Sequence, residues 1–438
     1  MPSDAKPLSA WLSNGWTGGA LSSPKLVSSA SKTAGSYRYY AGYADAFVAD
    51  VVARLPQPTG LVLDPWNGSG TTTSVAAAHG LEARGFDINP AAVVISKARL
   101  LQSDVAPSLL PLTRKLLTAV DADAALSQGD LLLRWMTPRA AAAVRRLAAT
   151  INRSLIELDD EPEASRLASE MSSLAALFYL ALFRVVRRAL GRFAGTNPTW
   201  LRQKVAQDEK VDIDLRTLRP WLLAAMGELA EAVKERGLPE LGGGRIEIAV
   251  ADSSQLPIQD GAAQAVITSP PYCTRIDYAV ATLPELAALG MTASDFRALR
   301  DRLIGTPTRD GTFASSDLRW GKTATSFLRE VADHRSHAST GYYLSFFSQY
   351  FAGMWRSLSE VGRVVASDRP IVLVVQDSYY KEVRADIPCV MCEMADRLGW
   401  RLSARRDFQV RTKANINAGT RKYRQPSLAT ESVLAFSK

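Results

Sequence analysis

The sequence predicts a doubly wound α/β fold whose mostly parallel sheet is built from distant pieces of chain and interrupted by a helical insertion. Three observations carry this. A strand, glycine turn and helix follow one another near the start; buried apolar strands resume only after residue 244; and the stretch between is rich in Ala, Leu and Arg at helical spacing.

Taken in order, ADAFVADVVARL reads as a helix, GLVLDP as a strand, NGSG as a tight turn and TTTSVAAAHG as a helix. ARGFDI and NPAAVVISKARL then read as the next strand and helix. The sheet pattern returns at RIEIAVAD (Arg245 to Asp252), in the buried strand AAQAVITS and in PIVLVVQD (Pro370 to Asp377). Three units follow: a first part of the sheet domain (1–104), a helical insertion (105–243) closed by the flexible LGGG of Leu241 to Gly244, and the second part of the domain (244–438). The last contains an irregular loop at about 291–340 and ends in RLSARRDFQV and ESVLAFSK, a hairpin that would close the sheet.

Composition narrows the classes. With 438 residues, 47% of them hydrophobic, the chain buries a large core, and its formal charge of +8 favours a polyanionic partner only weakly. Cys273, Cys389 and Cys392 are too few for a disulfide framework. The lone CxxC lies on a helical pattern with no second ligand pair, so no metal is expected. MPSDAKPLSAWLSNGW has no basic and apolar leader pattern, which points to the cytoplasm. The most apolar run, Ser172 to Val186, is broken by Arg184 and reads as a buried helix rather than a membrane span. None of His79, His334 and His337 stands beside a nucleophile, so hydrolase chemistry has no foundation.

The chemistry-bearing residues cluster at strand ends. In DPWNGSGTT (Asp64, Pro65, Trp66, Gly68, Ser69, Gly70 and Thr71 among them), the glycines let the backbone turn tightly and approach a ligand. The turn lacks the lysine of an NTP phosphate loop. Asp87, followed by Ile88, ends the next strand where a carboxylate takes ribose hydroxyls, so an adenosine-bearing cofactor without phosphates satisfies both features. Asp252, with Ser253, ends the third strand; it is placed to accept from an adenine amine or to cap a helix. TSPPY follows the strand AAQAVI directly, and there Ser269 Oγ and the Pro270 carbonyl can accept from a base amine while Pro271 stiffens the loop and Tyr272 offers a flat face.

Together these residues resemble the amino-methyltransferases of DNA. Asp64 to Thr72 is similar to that family's cofactor motif DPFxGSGTT, Gly85 to Pro90 to its GxDxNP, and Ser269 to Tyr272 to its [DNS]PP[YFW]. YRYYAGYADAFVADVV looks like its flanking cofactor motif, and the resemblance spans about Tyr37 to Arg99 and Arg245 to Asp277, more loosely Tyr342 to Lys438. It implies a Rossmann-like class I methyltransferase sheet, S-adenosylmethionine as donor and a DNA base flipped into the pocket, with Ser269, Pro270, Pro271 and Tyr272 as the catalytic loop. The SPP form is associated more with cytosine N4 than with adenine N6. Trp66 stands where the family has phenylalanine, and the insertion follows the second motif, an unusual place for a target-recognition domain.

A restriction-modification or phage-defence setting, with cognate restriction or defence proteins as partners, comes with the resemblance. An RNA amino-methyltransferase and a non-catalytic DNA-binding subunit of a defence complex are the alternatives. Candidate phosphate contacts are Arg275, set to pair with Asp277, the loop residues Arg411, Lys413, Arg421, Lys422 and Arg424, and the basic helix face of Arg184, Arg187, Arg188 and Arg192.

Overall fold

The computed structural model describes residues 21–25, 42–56, 60–120, 126–127, 129–157, 163–195, 200–202, 205–236, 244–274, 277–306, 317–336, 339–411 and 428–438. Its strands are β1 (Val62–Asp64), β2 (Ala83–Asp87), β3 (Ile246–Val250), β4 (Ala265–Thr268), β5 (Pro370–Gln376), β6 (Ser378–Tyr380), β7 (Val383–Ala385), β8 (Arg401–Arg411) and β9 (Leu428–Ser437). Seven form one sheet in the order β3-β2-β1-β4-β5-β9-β8, and β6 pairs with β7 in a small hairpin. Strands β1 to β5 run parallel, whereas β9 enters antiparallel between β5 and β8.

The central strands are apolar on both sides, as parallel strands covered by helices must be. Val62, Ala265, Ile267, Val372 and Val374 face one layer, which includes α1 (Asp45–Val52) and α2 (Thr71–Ala78). Leu63, Val266, Ile371 and Leu373 face the other, where Phe327, Phe347 and Phe351 pack edge to face. The strand order reverses between β1 and β4, so a crevice opens beyond their carboxyl ends.

Turn chemistry sets the first βα units. Gly70 has φ +80°, and a Cβ there would lie 2.6 Å from Ser96 Cβ on α3 (Pro90–Ala98), so only glycine fits the turn and the helix contact together. Asn89 caps α3, its Oδ1 accepting from Ala91 N at 3.0 Å with Pro90 in the first turn.

The insertion supplies α4 (Ala106–Thr118), α5 (Pro138–Leu155), α6 (Ala164–Glu170), α7 (Ser173–Ala189) and α8 (Leu215–Arg236). It does not fold apart from the sheet domain. Its buried residues, Phe178, Phe183 and Leu222 among them, share one core with Val93, Val94 and Ile95 of α3. Lys97 of α3 donates to the Met171 carbonyl at 2.9 Å, and burial lowers its ammonium to about 8. Among the described residues no helix is long and apolar enough to cross a membrane.

In the stretch expected to be an irregular loop, 291–340, the described residues are largely helical. Beyond α9 (Tyr278–Ala281) and α10 (Leu283–Ala288), it holds α11 (Ala293–Arg302) and α12 (Lys322–Ala332), followed by α13 (Leu344–Val364) and later α14 (Ile387–Arg397). Thr292 caps α11, and Phe296 and Leu299 bury its short apolar face. Such a two-residue face is too sparse to show as a period in the sequence.

Candidate active site

A cleft at the reversal point has about 870 Å³ of empty space, its open mouth included, within the ~300–1,000 Å³ typical of ligand sites. One wall is the glycine turn with Pro65, Trp66, Asn67, Gly68, Ser69 and Thr71; the next is the end of β2 with Asp87, Ile88 and Asn89. Asp252 and Ser253 close the β3 side, and Ser269, Pro270, Pro271 and Tyr272 close the β4 side. The two sequence motifs therefore face a common space.

Asp87 is prepared as an acceptor. Its Oδ2 accepts from Gly68 N at 3.0 Å and its Oδ1 from Asn89 N at 2.9 Å, which fixes the carboxylate and leaves each oxygen further lone pairs. Burial nevertheless raises its pKa to about 6. Ser269 Oγ donates to the Val374 carbonyl at 3.1 Å, so its proton is engaged and its acceptor lone pairs remain. Burial pushes the Tyr272 phenol well above its ordinary value, keeping it neutral.

Asp64 and Gly70 are placed differently from expectation, since neither lines the cleft. Asp64 is 1% exposed, with Oδ1 accepting from Thr268 Oγ1 at 2.6 Å and Trp66 N at 3.1 Å. Its Oδ2 accepts from Thr72 Oγ1 at 2.6 Å and Tyr43 Oη at 3.3 Å. Asp64 thus pins the glycine turn to β4 and to the N-terminal segment, and burial raises its pKa despite these donors. Asp252 lines the cleft; among the described residues no helix follows it to be capped before β4, and its Oδ1 instead accepts from Ser254 N at 2.9 Å in a local turn.

Sequence reasoning missed Tyr43, Asn67, Tyr278, Arg302, Leu303 and Ile304, all of which line the cleft. Tyr43 lay within the segment similar to a flanking motif, a signal that could have found it. Arg302 ends α11 and reaches Asp252 Oδ2 at 3.4 Å, a pairing fifty residues apart in sequence that no local pattern announces. Two buried donors of residues that line the cleft, Trp66 Nε1 and Asn67 Nδ2, have no partner among the described residues.

The basic helix is not a free phosphate-binding face. Arg187 turns inward to Glu285, Arg184 pairs with Glu228 at 3.1 Å, Arg188 stacks over Trp221 at 4.3 Å from the ring centre, and Arg192 bonds the Glu209 carbonyl. Asp277 caps α9 and pairs with Arg300 at 2.7 Å. Arg275, Lys413, Arg421, Lys422 and Arg424 lie outside the described residues, as does the side chain of Arg411.

The strand order and the cleft at its reversal point define a Rossmann-like methyltransferase fold. No protein-family model matches the chain. Over 300 residues the chain is 25% identical to the type II methyltransferase M.BsoBI of Geobacillus stearothermophilus. The match takes in 63% of this chain and 57% of that relative, so the chain spans little more than half the length of the curated relative it matches.

Proposed function

We propose that the protein transfers a methyl group from S-adenosylmethionine to the exocyclic amine of a DNA base, cytosine N4 in preference to adenine N6, in restriction-modification or phage defence. The observation that carries this reading is the single cleft shared by the glycine turn with Asp87 and the Ser269–Tyr272 loop. The similarity to a type II methyltransferase supports it.

The cleft fits the donor. Asp87 has free lone pairs for ribose hydroxyls, Gly68 and Ser69 give backbone access, and the unpartnered Trp66 Nε1 and Asn67 Nδ2 call for acceptors. Bound S-adenosylmethionine supplies an electrophilic methyl on a sulfonium. The protein's own part is to extrude the base, hold its amine against the Ser269 hydroxyl and the Pro270 carbonyl, and stack it on Tyr272. Those acceptors stabilise the positive charge that grows on the amine nitrogen.

The test is transfer of label from methyl-labelled S-adenosylmethionine to unmethylated duplex DNA, with RNA in parallel, followed by nucleoside mass spectrometry. N4-methylcytosine is the expected product. N6-methyladenine would correct the base, and label only in RNA, or none, would overturn the reading.

Asp87 adds a pH signature. Its carboxyl sits at about 6 before ligand binds, and ribose hydroxyls donate to the ionised form, so cofactor affinity should rise with pH through 6 and level off above it. Below 6 the decline approaches about tenfold per pH unit if only the carboxylate binds. Titration with S-adenosylhomocysteine from pH 5 to 8 measures it, and Asp87→Asn should bind weakly with no such slope.

A further inference from the structure

Glu431 is a buried carboxyl with one oxygen left unmet. It lies on β9 opposite Gln376 of β5 and is 5% exposed, yet among the described residues its Oε2 has no hydrogen-bond partner. Buried polar atoms are nearly always satisfied, and an unmet one costs stability, so such an atom marks a place where a ligand completes the bonding.

Its position relates it to the catalytic loop. Side chains alternate along a strand, so Ile267 and Ser269 share a face, as do Val372, Val374 and Gln376, and Ala435, Val433 and Glu431. Ile267, Val372, Val374, Val433 and Ala435 all belong to the core on the α1 side. Ser269 and Glu431 therefore stand on one face near one end of the sheet, two strands apart and two residues out of register, since Ser269 follows Thr268, which pairs with Leu373, while Glu431 pairs with Gln376; ordinary strand spacing and rise put them about 12 Å apart. The Glu431 charge reaches the phenol of Tyr272, which lines the cleft although Glu431 itself does not.

Resting on the base-methylation reading above, we propose that Glu431, as the neutral acid, donates a hydrogen bond to the ring nitrogen beside the amine of the extruded base. That acceptor is N3 in cytosine and N1 in adenine. Ser269 and Pro270 accept from the amine while Glu431 donates next to it, a pattern that guanine and thymine, which carry N–H at the corresponding ring position, do not match. Burial raises Glu431 to about 7 and supports the neutral form, against a small lowering by Lys25. Among the described residues, Tyr272 and Lys25 are the titratable groups that bear on it, and its neighbours Gln376 and Phe408 on β5 and β8 are uncharged.

The test compares kcat/KM for duplex DNA between pH 6 and 9 in the wild type, Glu431→Gln and Glu431→Ala, together with melting temperature. In the wild type, activity should fall above pH 7 as the donor ionises. Glu431→Gln, whose amide keeps a donor, should retain activity and lose that limb, and Glu431→Ala should drop about tenfold to a hundredfold. Glu431→Ala should melt no lower than the wild type, since an unmet buried carboxyl is removed, and Glu431→Gln, which keeps a polar group of the same size there, should melt close to it. The proposal is overturned if the pH limb persists in Glu431→Gln, if Glu431→Ala is fully active, or if activity rises through pH 7 and Glu431→Gln is inactive. Absence of transfer by the wild type would instead sink the methylation reading, and this inference with it.

Discussion

Ser269→Ala should lower methyl transfer to DNA by about 10²–10³, the usual cost of removing one acceptor or donor placed for transition-state charge, while leaving cofactor affinity unchanged. The reason lies in how the hydroxyl is held. Its proton goes to the Val374 carbonyl on the neighbouring strand, so the oxygen presents lone pairs, and an amine losing electron density to an incoming methyl makes its N–H bonds stronger donors to them. Alanine keeps the loop, because Pro270 and Pro271 fix the backbone and the Val374 carbonyl loses only one neutral bond. Single-turnover rates with labelled donor, beside binding of S-adenosylhomocysteine, separate the two effects. Equal activity in the variant would place amine recognition elsewhere on the loop, and loss of cofactor binding would make Ser269 a structural residue.

What the sequence disclosed and concealed follows from the range of the interactions. The glycine turn, the capped start of α3 and the strand before Ser269 are local, so their residues could be read one after another. Charged groups satisfied from far away could not. Arg187 reads as one of four arginines on a helix face, and its partner Glu285 stands ninety-eight positions on. Asp64 reads as a polar group at a strand end facing ligand, yet its oxygens are consumed by Tyr43, Thr72, Thr268 and the Trp66 amide. Glu431 reads as the polar first residue of an apolar strand, because its burial depends on where β9 inserts between β5 and β8. The same long-range pairings recruit Arg302, Leu303 and Ile304 to the cleft.

Arg187→Ala should have the largest effect on folding, about 3–5 kcal/mol, the cost of leaving a buried charge without its partner. Arg187 grips Glu285 with two nitrogens, Nε to Oε1 at 2.5 Å and Nη2 to Oε2 at 2.8 Å, and also bonds the Ala281 carbonyl. The Glu285 side chain is fully buried, so truncating the arginine strands the carboxyl in an apolar setting, where its neutral form is the only cheap one. Arg187→Lys should not restore the loss, since an ammonium cannot make the parallel pair of bonds. Replacing both partners by apolar residues should recover much of it, because the penalty lies in the orphaned charge rather than in a large net gain from the pair. Urea denaturation of the two single variants and the double variant measures this directly. A loss for Arg187→Ala within the range of exposed pairs, about 0–1 kcal/mol, would show that water reaches Glu285. The pair also has a functional consequence, for it clasps α7 of the insertion to α10, and the chain on either side of α10 carries Tyr278, Arg302, Leu303 and Ile304 to the cleft. A destabilised clasp should therefore weaken cofactor binding before the sheet itself unfolds, which binding titrations in sub-denaturing urea would detect.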